Sequence, residues 1–215
     1  ETNNIGSERR SLYDVLVKNI KNGNIEDVYA DSYFTEKRTL GDLSASLMYS
    51  DTTDYGIEQY NAEGIVDEQY IRKFNLDAGD IEEWRIRGIW YLDKRQGELK
   101  YRLLGLCPVA NEARSKAFPD ENMDSKVELF WVWFPGARKA LHEAKAFNRK
   151  NTSQPITYDH LLNSRRFNAL IYREDNVQGD RGVRDYINDN ALMQLLEAER
   201  IKDQIRNMEI DLWNY

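Results

Sequence analysis

The chain carries one thiol and two imidazoles, Cys107, His142 and His160. A cysteine beside a histidine is the arrangement for nucleophilic acyl chemistry, the imidazole drawing off the thiol proton. The local pattern argues against it here. Cys107 falls on the alternating set Leu99, Tyr101, Leu103, Cys107, where a free cysteine behaves as a small hydrophobe. No catalytic residue is therefore expected, and hydrolysis through Cys107 with His142 or His160 stands as the alternative. Metal sites fare no better. Two histidines 18 positions apart, with no HExxH or CxxC spacing, do not supply a transition-metal ligand set. The acidic run Asp120-Glu121-Asn122-Met123-Asp124 lacks the glycine and closing glutamate of a calcium loop. Neither GxxxxGK[ST] nor GxGxxG is present, and Gly179-Asp180-Arg181-Gly182 reads as a solvated turn. Carboxylates such as Glu82-Glu83, or Glu197 and Glu199, single out no acid–base pair. No metal and no cofactor is expected.

Aromatic residues are the other chemistry-bearing set: five Trp, 13 Tyr and seven Phe. Such side chains stack on sugars or anchor protein partners, so an envelope carbohydrate-binding module is a further alternative. Trp84, Trp90, Trp131 and Trp133 follow a period of two and are expected to point into the core. Trp213 and Tyr215 differ. They end the terminal helical pattern, where burial within the same chain is least assured, and are expected to dock on a neighbouring subunit.

These residues need a scaffold, and 215 residues suffice for an ordinary core. Ser11 to Ile20 has helical spacing stopped by Gly23, and Gly41 to Tyr49 reads as another turn or two of helix. Residues 50–79 read as a long irregular connection rich in Asp, Tyr and Gly. Glu83 to Leu92 and Glu98 to Cys107 alternate about Lys94-Arg95-Gln96-Gly97, the pattern of a hairpin. Lys126 to Phe134 loses its alternation in LFWVWF and is expected to be a central strand. Pro135 suits the start of the next helix, whose inner stripe is Ala137, Ala140, Leu141, Ala144 and Phe147. Thr157 is placed to cap a helix reaching about Arg165, Phe167 to Arg173 leans to strand, and Asp175 to Arg184 reads as loop. Asp189 to Trp213 is the best helix, with a stripe of Leu195, Ala198, Ile201, Ile205, Met208 and Leu212. The expected class is α+β: a small antiparallel sheet with helices packed on it and a long C-terminal helix. The expected organisation is a disordered leader over 1–10 and a single domain over 11–215.

Composition excludes several roles. A net charge of −7 argues against coating nucleic acid. No apolar run approaches the ~18 residues of a spanning helix, and a single cysteine excludes a disulfide framework. The first ten residues, ETNNIGSERR, have no apolar signal-peptide segment.

The blocks LFWVWFPGARKAL, AFNRKNTSQPITYDHLLNSRRFNALIYREDNV and LLEAERIKDQI resemble the GldN/PorN family of gliding-motility and type IX secretion proteins. The hairpin EWRIRGIWYLDKRQGELKYRLLGLCPV fits that family's middle segment, and the resemblance runs from about Ser11 to Ile205. It implies a non-enzymatic structural subunit of the periplasm, held at the inner face of the outer membrane. The implied partners are the lipoprotein GldK/PorK, with which such proteins form a large ring by self-association, and the trans-periplasmic GldM/PorM. No nucleic acid is implied, and the membrane is reached only through the lipoprotein. Family chains carry a signal peptide and an aromatic-rich segment ahead of the SLYD helix, so this chain is expected to be a trimmed core.

Overall fold

The computed structural model describes residues 10–118, 126–146, 154–177 and 179–213. Its contacts divide the chain into two compact units: residues up to Gly88 with Leu103–Ser164, and Ile89–Arg102 with residues from Arg165 onward. The expectation from sequence is one domain over 11–215.

The first unit opens with α1 (Leu12–Lys21). Ser11 caps it, its hydroxyl accepting from the Asp14 N–H at 3.1 Å. Tyr13, Val15, Leu16 and Ile20 form the buried stripe, and Gly23 takes the left-handed conformation that ends the turn. The two-residue strand β1 (Val28–Tyr29) follows. Thr39 and Asp42 then make a reciprocal capping box at the head of α2 (Leu40–Leu47).

The next segment corrects the expectation of an irregular connection over 50–79. Strand β2 (Met48–Thr52) leads into α3 (Asp54–Glu63), and β3 (Ile71–Asn75) returns antiparallel to β2. Polar residues hide this hairpin in the sequence, because none of its strand residues is buried. Gly56 lets α3 approach closely: a Cβ there would lie 2.7 Å from Thr52 Cγ2 and 2.9 Å from Tyr70 Cβ.

The hairpin strands β4 (Ile81–Asp93) and β5 (Glu98–Asn111) appear as their alternation predicts. After the short helix α4 (Ala113–Ala117), the expected strand over Lys126–Phe134 is split into β6 (Lys126–Glu128) and β7 (Trp131–Trp133). The register gives the reason. Leu106 pairs with Val132 while Val109 pairs with Glu128, so Cys107 and Pro108 face three residues, Leu129, Phe130 and Trp131. This is a β-bulge. Pro108 offers the ladder no N–H, but its carbonyl accepts from Leu129 N at 3.1 Å. Strand β7 sits between β1 and β5 in the order β1-β7-β5-β4, so its expected central position holds. Leu129, Phe130, Trp131 and Val132 are all buried.

Pro135 lies in the first turn of α5 (Phe134–Glu143). Ala137, Ala140 and Leu141 are buried beneath it, and α5 packs on α1; Phe147 lies outside the described residues. The two-residue strands β8 (Lys145–Ala146) and β9 (Ile156–Thr157) pair antiparallel. Thr157 caps α6 (Tyr158–Asn163), accepting from His160 N at 3.2 Å. Arg138 of α5 grips Asp159 of α6 with two bonds of 2.8 and 3.1 Å, and Asn163 Nδ2 donates to the same carboxylate at 2.8 Å. The Arg138 guanidinium holds the Asp159 carboxyl below its ordinary range.

Within the second unit, Phe167 to Arg173 is irregular, which corrects the strand expectation. Its backbone makes one isolated bridge, Arg173 to Gly182. Helices α7 (Val183–Tyr186) and α8 (Ala191–Trp213) follow. Asn190 Oδ1 accepts from Met193 N at 3.0 Å at the start of α8. The observed class is α+β, with a small antiparallel sheet and a long C-terminal helix.

Candidate interaction surfaces

Cys107 is fully buried on β5, packed with Val109 and Trp131. Burial pushes its thiol well above the ordinary value, and the nearby Glu128 carboxylate adds to the rise. A thiol protonated at every working pH is a poor nucleophile. His142 on α5 and His160 on α6 are exposed, so the structure gives a thiol–imidazole pair no support. Among the described residues no three His, Cys, Asp or Glu side chains are placed to hold a metal. The acidic run Asp120–Asp124 lies outside the described residues. Gly179 and Asp180 both take left-handed backbone in the 176–182 turn, where Asp180 Oδ1 accepts from Asn176 N at 2.7 Å.

The aromatic expectation is corrected in part. Trp131 is buried, but Trp84 and Trp90 are each 37% exposed. Strand β4 stands at the end of the strand order. Period-two alternation tells which side chains share a face and says nothing about whether that face is covered. The run Ile89, Trp90, Tyr91, Leu92, which breaks the alternation, was the available signal; all four are exposed.

Residues 89–102 are locally well built. The N–H groups of Gln96 and Gly97 close the turn onto the Asp93 carbonyl, and Gly97 has φ +65. Lys100 Nζ reaches Asp93 Oδ2 at 2.9 Å and also the Gln96 side chain. That lysine bond, with the Arg95 N–H, holds the Asp93 carboxyl below its usual range. The Trp90 and Tyr101 rings meet at 5.2 Å, and the Arg165 guanidinium lies over both, at 5.0 and 5.6 Å. A sugar stacking on these rings would compete with that cation.

Helix α8 buries little. Ala198 and Ile201 of the expected stripe are buried, whereas Leu195 is 43% and Met208 59% exposed. Leu192, Met193 and Leu196 are exposed on its first turns. Tyr186 donates to Glu197 at 3.1 Å and Gln194 Nε2 to the Ile187 carbonyl at 2.8 Å, which ties α7 to α8. Trp213 closes α8; its side chain and Tyr215 lie outside the described residues. Beside α8 an open depression of about 440 Å³ is lined by Phe167, Asn168, Ala169, Leu170 and Lys202. Lys202 of this lining is engaged by Glu199 at 2.9 Å. Among the described residues no helix is long and apolar enough to cross a membrane.

These features define an α+β protein whose described chemistry lies in exposed aromatic and aliphatic patches rather than in converging polar groups. The family profile "Gliding motility associated protein GldN" matches residues 2–214, and the chain belongs to that family. Among curated proteins none is significantly similar. Membership makes the chain a component of the gliding-motility and type IX secretion apparatus. It is an envelope-associated structural component that works with other parts of that apparatus.

Proposed function

We propose that the chain is a non-enzymatic structural subunit of the type IX secretion system. It associates with an outer-membrane-anchored lipoprotein of the GldK/PorK kind to form a large periplasmic ring. It also links that ring to the trans-periplasmic GldM/PorM protein. The observation that carries this reading is the family match over nearly the whole chain. Two different patches of one subunit must meet when a ring closes. The exposed apolar residues of the Ile89–Leu92 run and of α8 are compatible with that demand. Trp213 and Tyr215 are proposed as partner anchors at the end of α8.

Mass by light scattering tests the reading, with the chain alone and after mixing with the lipoprotein. A discrete, very large species is the expected result. Unchanged masses would overturn it. Deleting residues after Met208 is expected to weaken assembly while the isolated chain stays folded. Loss of folding would instead place the tail in the core.

A further inference from the structure

Charge is distributed unevenly along this chain. Between Thr39 and Ile71 stand seven acidic residues and no lysine or arginine. That segment alone carries the whole formal net charge of −7, and the remaining residues balance thirty acids with thirty bases. It folds into α2, β2, α3 and the approach to β3.

The same segment exposes large apolar side chains. On α3, Tyr55 is 73%, Tyr60 59% and Ile57 49% exposed, and Ile65 just beyond is 68% exposed. Only Gly56 of this helix is buried. A helix that turns its aromatics to water is one whose covering surface is missing. The patch is nevertheless held in shape. Gln59 Nε2 donates to Asp67 Oδ2 at 3.1 Å while Asp67 N donates to Gln59 Oε1 at 3.2 Å, which clamps α3 to the segment after it. Among the described residues no lysine or arginine lies within 4 Å of Asp54, Glu58 or Glu63. Within the segment Glu68 meets Lys73 at 3.6 Å and Asp42 has Arg38 nearby.

We infer that the outer face of α3 is a docking surface for a basic segment of a partner protein, one that presents apolar side chains between its lysines and arginines. Three considerations select this occupant. Uncompensated carboxylates attract cations and repel nucleic acid and anionic lipid. A second copy meeting it face to face would bring the same acidic patch against itself, and the rest of the chain, with thirty acids against thirty bases, offers it no net positive charge. Tyr55 and Tyr60 offer apolar area and ring faces to a guanidinium. The inference goes beyond the ring assignment, because it specifies the chemistry of one contact whichever protein supplies it.

The full chain is titrated with a synthetic amphipathic peptide bearing lysine and arginine on one face and leucine on the other, while amide NMR shifts are followed. Binding is expected, with shifts confined to residues 48–75, and weakening as salt is raised. A peptide with serine for leucine should bind at least about tenfold more weakly. The double variants E58K/E63K and Y55S/Y60S should each lose a similar factor. All four positions are exposed, and circular dichroism checks that the variants fold. Absence of binding to the wild-type chain overturns the inference without any variant. So do shifts spread over carboxylates elsewhere, or equal binding by the variants. Wild-type dimerisation that Y55S/Y60S abolishes would also overturn it, by showing a second copy as the occupant.

Discussion

Replacing Gly105 by alanine should destabilise this protein through one identifiable collision. Gly105 lies on β5 opposite Trp133 of β7. A Cβ there would stand 2.5 Å from Phe34 Cζ, 2.7 Å from Cε1 and 3.1 Å from the Val132 carbonyl oxygen. The ring cannot simply swing aside. Phe34 meets Trp133 edge-on at 4.7 Å, Tyr29 at 5.5 Å and Trp131 at 6.3 Å. Its backbone sits at φ +60, inside a turn organised by Asp31. That carboxylate accepts from the N–H groups of Tyr33, Thr35 and Glu36 and from the Thr35 hydroxyl. Overpacking of a rigid site costs about 1–3 kcal/mol, and each ring–ring pairing that the displaced Phe34 gives up adds roughly 0.5–1.5 kcal/mol. A total near 2–4 kcal/mol at ~2–4 °C per kcal/mol lowers Tm by roughly 4–16 °C. The assay is a double-mutant cycle read by denaturant unfolding. F34A alone loses the ring, but in that background G105A should cost less than ~1 kcal/mol, because only the close approach to the Val132 carbonyl remains. Additive effects of the two substitutions would refute the reasoning, since Phe34 would then not be what Gly105 accommodates.

Three further outcomes follow from the geometry. Cys107 should resist alkylation in the native chain at neutral pH and react fully once denatured, and rapid native modification would contradict its burial and raised thiol. Asp159→Asn should cost about 1 kcal/mol at pH 7, since the Arg138 partner is 56% exposed and solvent screens the pair. Because the folded carboxyl titrates below its unfolded value, that stability is present above the unfolded carboxylate pKa and is lost as pH falls through the folded one. Thermal melts of wild type and variant should therefore converge on acidification, and a gap that widens would reverse the sign. Gly56→Ala gains helix propensity of about 1 kcal/mol but meets Thr52 and Tyr70. Faster amide exchange confined to residues 48–75 is the expected result, and unchanged exchange there would show that α3 needs no close approach.

The sequence made the elements legible where burial imposes a period. Helix α1, the hairpin β4–β5 and the cap at Thr157 each answer to a local rule that acts within a few residues. The elements over 50–79 are hidden because their strands and helix are mostly solvated, so no apolar stripe advertises them. The bulge opposite Cys107 and Pro108 depends on which residues pair across the sheet, a nonlocal fact that neither strand carries alone. The exposure of Trp84 and Trp90 is illegible for a related reason. Alternation assigns a face, but the identity of the layer covering that face comes from other parts of the chain.

Solvent exposure of apolar residues on this chain is selective. Trp131, Phe130 and Leu106 are packed to within a few per cent of full burial, so its aromatics are not left outside for want of a core. Yet Tyr55, Tyr60, Trp90, Leu192 and Leu196 stay outside. Leaving a large apolar side chain fully in water forgoes roughly 1.5–3 kcal/mol, and each of these forgoes the share that its exposure sets. A structural component of a larger machine recovers that free energy on assembly, when partners cover the patches. An enzyme concentrates its unusual chemistry inward, in shifted titratable groups that converge on a cleft. Among the described residues the most strongly shifted titratable groups, Tyr13 and Cys107, are shifted chiefly by their burial in the core. The contacts proposed for this chain lie on the outside, among exposed aromatic and aliphatic side chains.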